Sequence, residues 1–525
     1  MSRTVRQVAL ATCLGAIAVS LAPHAAFASA FGLREESAEG LGNAFAGQTA
    51  KAYNSSTAYY NPAGMSFLTD SEIASTATWI SPDVKFQGQN SNPLYAAGIG
   101  GPNVNGVNGP NAVKPAAIGS IFGVWKVDPD LSIGATFAVP FGERVEYREN
   151  WVGRYQAMAS DLTDYEGSIV ASYKLTPSFS VGGGIRVDYL TGRLSEAINT
   201  SAIGLQVAQG LGNGAKQYGA GAQQAAAGAQ AAGAAAQQAA AAGNAALAAQ
   251  YAAQAQTLAA QAKAAQANAV ALAQQATAMQ NLALGWAIGG SDGLGKVEGN
   301  DVGVGYTLGF LYEVDKGTRL GFNYRSRMYH NITGHADIQT PGNASTAPSA
   351  FTSLLPAYQS ASLGITLPDV ATVGVYHEFN DQWAIMSDVQ WTHWSLLKQL
   401  NVQGGSNNLI SSTQENWRDT AFVSLGANWK PIDRFTFHAG IAYDEAPMSD
   451  ANRTARIPDA DRYWTAFGVS YAVTPKSDVN FGYAHLFTRG GSVSDANGAA
   501  QGGGVLTGHY QDSVDIVSAS FAMRF

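Results

Sequence analysis

The stretch Tyr463-Trp-Thr-Ala-Phe-Gly-Val-Ser-Tyr-Ala-Val-Thr-Pro-Lys-Ser-Asp-Val-Asn-Phe-Gly-Tyr-Ala484 carries the repeating unit of this chain. Tyr463, Thr465, Phe467, Val469, Tyr471 and Val473 alternate with smaller or more polar residues such as Ala466, Gly468 and Ser470. After Val473-Thr-Pro-Lys476 the alternation resumes at Val479, Phe481 and Tyr483, with Asn480, Gly482 and Ala484 between them. Successive strand residues point to opposite faces, so each run has one apolar face and one small or wet face. A soluble sandwich also alternates, so this pattern leaves the class open.

The connections narrow it. Six are short and turn-like: Val127–Asp130, Leu175–Ser178, Val314–Gly317, Phe379–Asp381, Lys430–Asp433 and Val473–Lys476. Pro, Asp, Asn and Gly in them favour tight reversals. Seven longer connections lie near 89–113, 140–163, 197–300, 333–365, 402–416, 445–460 and 488–509, alternating with the short ones without a break. The expectation is an all-β fold, a 14-stranded antiparallel transmembrane β-barrel with short turns at one end and long loops at the other. Closure removes the sheet edges that lipid cannot satisfy. The last stripe, Val517, Ala519, Phe521, Met523 and Phe525, resembles the terminal signal read by the barrel-assembly machinery.

Composition agrees. The 525 residues include 59 Gly, 10% aromatic and only 13% charged residues, with 30 Lys+Arg against 38 Asp+Glu. The net charge of −8 argues against a nucleic-acid partner. One cysteine excludes a disulfide framework and a multi-thiolate zinc site. Residues 1–28 read as an export signal: Arg3 and Arg6, an apolar run Val8–Leu21, and the small-residue site Ala26-Phe-Ala28. The expected location is the outer membrane, with both termini periplasmic, the barrel over 71–525, and lipids and lipopolysaccharide around a monomer.

Two segments lack strand alternation. Residues 29–70 form either a domain below the barrel or a plug within it. Residues 206–285 are Ala/Gln-rich, with Lys216 and Lys263 their charged residues. Tyr251, Leu258, Ala265, Leu272, Met279 and Trp286 fall seven apart beside a row of alanines, as in a close-packed helical hairpin. A tolerated low-complexity loop insertion is the other reading.

Chemical motifs are sparse. Gly289-Gly-Ser-Asp-Gly293 matches G-x-S-x-G, but a nucleophile elbow needs a strand before it and a helix after it, and here an Ala-rich segment precedes. His330 and His335 have zinc-like spacing without the cysteine pair, and read as rim histidines. Neither an enzyme nor a metal or other cofactor is expected. Pro140, in Ala138-Val-Pro-Phe-Gly142, either ends a strand or breaks it, because Pro offers no ladder donor.

Several segments resemble one family, the FadL-like outer-membrane transporters of long-chain fatty acids and hydrocarbons. They are Phe31–Gly47, Asn61-Pro-Ala-Gly-Met65, Trp79–Val84, Leu367–Ser395, Ile441–Asp444, Asn452-Arg453 and Ile457–Trp464. The resemblance implies a 14-stranded barrel with an N-terminal hatch in the lumen, marked by Asn61, Pro62, Ala63 and Gly64. It implies passive uptake of long-chain fatty acids or related lipids, by capture at the loops, transfer to a pocket and lateral exit at a kinked third strand. Pro140, Phe141 and Gly142 fall at that kink. Uptake of neutral aromatic or aliphatic hydrocarbons is an alternative, and so is a surface adhesin or structural barrel without transport. Ligand-contact candidates are Phe31, Leu33, Phe351, Leu354 and Leu355. Glu196 and Thr413 stand where fatty-acid carriers place basic residues. Arg418, sharing the parity of Phe422 and Ser424, is the candidate replacement anchor.

Overall fold

The computed structural model describes residues 30–405, 409–499 and 502–525; the expected export signal, 1–28, lies outside them. Nineteen strand runs form one antiparallel sheet. They are β1 (Glu72–Asn90), β2 (Ala116–Lys126), β3 (Leu131–Glu146), β4 (Ala159–Thr176), β5 (Phe179–Ile198), β6 (Gly293–Asp315), β7 (Thr318–Arg325), β8 (Met328–Gln339), β9 (Tyr358–Leu367) and β10 (Val370–Asn380). The rest are β11 (Trp383–Thr392), β12 (Gln399–Gly404), β13 (Leu409–Gln414), β14 (Thr420–Ile432), β15 (Phe435–Asp444), β16 (Arg462–Thr474), β17 (Ser477–Thr488), β18 (Gly491–Asp495) and β19 (Leu506–Arg524). Five strands are interrupted into pairs (β7/β8, β9/β10, β11/β12, β13/β14 and β17/β18), so 19 − 5 gives 14. The ring runs β1 to β7, then β10, β11, β14 to β17 and β19, which pairs back onto β1 from Glu72↔Arg524 to Asn90↔Leu506. The barrel is closed.

The two faces divide as the alternation requires. Ile169, Phe467 and Phe481 are 70%, 63% and 53% exposed on the outer wall, which suits lipid rather than water. No helix among the described residues is long and apolar enough to cross a membrane; the strands do so. The inward face receives residues 30–71, which are almost wholly buried. Its small residues are a seat: a Cβ at Gly440 would lie 2.2 Å from the Asn43 backbone, and one at Gly309 would lie 2.0 Å from Asn61 Oδ1. This N-terminal plug folds through local caps. Ser37 Oγ accepts from Gly40 N at the helix Ala38–Gly42, and Asn61 Oδ1 accepts from Ala63 N at the 3₁₀ turn Pro62–Phe67. Asn61 Nδ2 also donates to Thr49 O (2.7 Å) and to Phe310 O of the wall (3.0 Å).

The Ala/Gln segment is a hairpin of helices, Thr200–Ala241 and Ala245–Gly289, each about 65 Å long at 1.5 Å per residue. Its boundaries are wider than 206–285. Asn199 and Asn244 cap the two helices, and the interhelical seam overrides the low helix propensity of the first helix's glycines. Tyr251, Leu258, Ala265, Leu272, Met279 and Trp286 all lie on the less exposed side of the second helix. A Cβ at Gly228 would meet Leu258 at 3.2 Å and one at Gly214 would meet Leu272 at 3.4 Å, so these two glycines of the first helix face leucines of the second. The Gly289–Gly293 motif ends a helix and enters a strand, the reverse of an elbow, with Gly290 in the left-handed cap conformation (φ 63°). His330 is no rim histidine. Its ring is fully buried in the wall, 3.4 Å from Asp188 and 3.3 Å from Asp301, because the break at Ser326 shifts the inward set from odd positions, Gly321 and Asn323, to even ones, Met328, His330 and Ile332.

Candidate functional site

The third strand departs from a regular ladder at Pro140. Ala138 faces Glu166 and Phe141 faces Asp164, so β3 carries one extra residue there, a bulge. Its pairing with β2 stops at Ile121↔Phe137, although β2 runs on to Ala116 against β1. Between these levels and the bridge Val113↔Val145, β2 and β3 make no ladder. The free edge of β3 is taken by the plug: Leu33 N donates to Pro140 O (2.7 Å), Gly142 N donates to Phe31 O (2.8 Å), and Gly32 bridges Phe141. Glu36 spans the gap, accepting Val139 N at Oε1 (3.1 Å) and Ser120 Oγ at its carbonyl (2.6 Å).

Among the described residues, three cavities lie along the lumen on the long-loop side of the plug, and a fourth, about 510 Å³, lies on its short-turn side beside Glu39 and Tyr376. The lowest of the three, about 100 Å³, is lined by Leu33, Tyr59, Pro140, Phe141, Trp394 and Phe422. Arg34, Arg186 and Arg325 also reach it. Glu166 pairs with both Arg186 and Arg325, and Arg34 stacks 3.7 Å over Phe422 while bonding Asp444 at 3.3 Å. The middle cavity, about 60 Å³, is mainly apolar and starts at Phe31. Phe31 packs against Trp394, Trp417 and Phe141 at 4.8, 5.7 and 5.9 Å between ring centres. The outer cavity, about 180 Å³, shares Leu194, Val297, Leu400, Val402 and Arg456 with the middle one.

The candidates from sequence divide clearly. Glu196, Thr413, Leu354 and Leu355 meet in the outer cavity. Phe31 lines the middle one, while Leu33, Pro140 and Phe141 line the lowest. Phe351 instead packs under the hairpin against Trp286, 5.2 Å between ring centres. Arg418 lines none of the three. Its side chain is 58% exposed and lies 3.9 Å from Asp461, because residues 415–419 interrupt the strand and inward parity does not carry across them. Sequence reasoning missed Arg456, which is buried and hydrogen-bonds Glu196. Its one local signal was a cation directly before Ile457-Pro-Asp459.

The base of the hairpin ties the loops together. Trp286 Nε1 donates to Asn343 Oδ1 (2.6 Å), and its ring joins Met279, Ala283 and Phe351. Trp286→Ala is expected to weaken that docking by about 3–5 kcal/mol. Limited proteolysis should then cut near residues 340–357 while the barrel core stays resistant.

Burial raises the Glu36 carboxyl to about 8, and Glu35 to about 7. An acid raised above its unfolded value of 4.5 keeps its proton only in the folded state, so plug stability falls as pH rises from 4.5 through 8. Glu35, Glu166 and Arg325 are the charged groups acting on Glu36. The opening free energy of residues 31–60, from hydrogen exchange corrected for the base-catalysed intrinsic rate, should fall from pH 5 to pH 9. Glu36→Gln should flatten most of that slope; an unchanged slope would place the titration elsewhere.

A closed barrel with a lipid-facing exterior, a plugged lumen and a ladder of cavities beside a wall gap defines an outer-membrane channel. The family model described as outer membrane protein transport protein (OMPP1/FadL/TodX) matches residues 19–525, and the chain belongs to that family. It is similar to a long-chain fatty acid transport protein of Escherichia coli K12, 25% identical over 477 residues and 90% of each chain. A 47 kDa outer membrane protein of Pasteurella multocida is 26% identical over 490 residues, 91% of each. Among solved structures, a Pseudomonas aeruginosa FadL homologue aligns with TM-score 0.73 at 22% identity, over 94% of this chain and 100% of that one. The Ralstonia pickettii toluene transporter TbuX aligns with TM-score 0.56 at 18% identity, over 95% and 99%.

Proposed function

We propose that the chain carries hydrophobic small molecules across the outer membrane without energy input. The long loops and hairpin face outward, and both termini and the short turns face the periplasm. Ligand enters the outer cavity, passes Phe31 to the lowest one, and leaves sideways between β2 and β3. Long-chain fatty acids, which relatives are named for, and aromatic hydrocarbons are the two ligand classes. Phe525, whose amide continues the ladder by donating to Ser71 O (2.9 Å), is the contact for barrel assembly. The observation that carries the reading is the unpaired stretch of β2 and β3 beside a cavity lined by Pro140 and Phe141. An apolar ligand gains by leaving into lipid and loses by leaving into water.

The test is uptake in a host lacking its own hydrophobic-compound channels. Expression should raise accumulation of labelled oleate or toluene, and the purified protein should give only small conductance in planar bilayers. Large, stable, nonselective conductance would make it a porin. The hairpin's length favours a second reading, surface contact. Deleting 200–289 with uptake intact and cell attachment lost would establish it.

A further inference from the structure

The wall has a second break, between β6 and β8. On the long-loop side pairing ends at Asn300↔Thr333, and on the short-turn side it resumes at Thr307↔Arg325. Among the described residues, 301–306 face the longer stretch 326–332 without a ladder. Side chains close the break instead. Asp301 Oδ2 accepts Asn331 N (3.0 Å) at one end, and Ser326 Oγ accepts Tyr306 N (2.9 Å) at the other. Between them lies the buried His330 ring, with Nε2 3.4 Å from Asp188 and Nδ1 3.3 Å from Asp301. Gly303 leaves room for it, since a Cβ there would lie 2.5 Å from His330 Cε1. Val302 and Val304 face lipid along this stretch, where irregular backbone needs cover from within the protein.

This break stands level with the one at Pro140. Ala138 pairs with Glu166, Glu166 with Asp188, and Asp188 with Gly303, a single row across β3, β4, β5 and β6. At that row the four strands pair with one another, while β3 has no ladder to β2 and β6 has none to β8. We infer that β3 to β6 form a leaf that bows as one unit at this level. Its bowing widens the exit beside β2, and His330 is the positioning residue that limits it. Ladder hydrogen bonds hold neighbouring strands at fixed spacing, and here the leaf has them on neither edge. It stays tied at Val113↔Val145 and Asn300↔Thr333 on the long-loop side, and at Ile121↔Phe137 and Thr307↔Arg325 on the short-turn side. The leaf therefore bends without leaving the barrel. Asp188 belongs to the shared row, so what His330 holds at one edge is carried through paired backbone to Ala138 at the other. The inference rests on the lateral-exit reading and adds its moving part.

The test pins the second break. The one cysteine is Cys13, within the expected export signal, so Val302→Cys with Asn331→Cys gives a defined pair that continues the register of Asn300↔Thr333. Oxidised, this variant should take up labelled oleate about tenfold more slowly than wild type, and reductant should restore the rate. Hydrogen exchange at a single pH reads the coupling between the edges. His330→Leu should lower the opening free energy of residues 301–306 and of residues 139–144 together. His330→Gln takes its place if the leucine variant fails to fold. Wild-type uptake with the disulfide formed overturns the inference. Should the disulfide not form, exchange decides: a change confined to 301–306, or none at either edge, overturns it. Wild type without uptake removes the lateral-exit reading, and exchange at the two edges still decides whether the leaf is one unit.

Discussion

Deleting Pro140 should close the wall between β2 and β3 and abolish uptake while leaving the barrel folded. The bulge exists because β3 spends one residue more than β4 between Ala138↔Glu166 and Phe141↔Asp164. Removing Pro140 places Val139 opposite Tyr165 and keeps Phe141 opposite Asp164, so inward and outward faces are preserved on both sides. It also removes the residue that has no N–H to offer. β3 then follows β2 upward past Ile121↔Phe137, and the edge now held by Leu33 N and Phe31 O becomes part of the wall. A ligand in the lowest cavity would have to leave through the plug into water. That route costs about 0.8 kcal/mol per methylene, roughly 10 kcal/mol for twelve methylenes, so uptake should fall by several orders of magnitude. Heat-modifiable mobility should match wild type, and ligand should still bind at the outer cavity. A deletion variant that folds, binds and transports at the wild-type rate would overturn the lateral route.

The strand number was readable because tight turns are local: Asp-Pro-Asp, Thr-Pro-Ser and Val-Asp-Lys-Gly need only their own residues to reverse the chain. The interruptions in five strands were not, because they depend on what packs at the rim. The break over residues 415–419 is the instructive case. Parity counted back from Phe422 placed Arg418 inward, but strand alternation ends at Thr420, and Arg418 turns out to solvent. The Pro140 bulge was legible from a proline within a regular run. What fills the gap it leaves, residues 31–33, was not, since those residues lie over a hundred positions away. The same holds for the outer cavity. Glu196 was legible as a departure from a basic position, but its partner Arg456 is 260 residues on, and such a pair has no signature along the chain. The small residues Gly468 and Gly482 were read as one face of a strand; their use is to seat the plug, since a Cβ at Gly468 would lie 2.9 Å from Gly42 Cα and one at Gly482 2.3 Å from Ala38 O.

Lys51→Met should unseat that plug. Lys51 Nζ lies 2.8 Å from Glu39 Oε1, and the two side chains are 3% and 4% exposed. Burial raises the Glu39 carboxyl, and Lys51, with His438 and Asn54, more than offsets it, so Glu39 stands below its usual value. Methionine keeps the length of the lysine stem and removes the charge, which leaves Glu39 with Asn54 Nδ2 at 3.2 Å as its remaining polar contact. An isolated buried carboxylate of this kind costs about 3–5 kcal/mol. The barrel ring closes through its own ladder from Glu72↔Arg524 to Asn90↔Leu506, so the loss falls on the plug and not on the wall. The open population of the lumen should rise by roughly two to three orders of magnitude, at 1.4 kcal/mol per factor of ten. Planar-bilayer recordings should show frequent, long openings where wild type shows few, and residues 38–60 should exchange their amides faster. Adding Glu39→Gln removes the unpaired charge and should restore most of the closed state, because a neutral pair of similar volume no longer needs a counterion. Wild-type conductance in Lys51→Met would show that the ion pair does not hold the plug. Leakage unchanged by the second substitution would show that the lysine acts through packing.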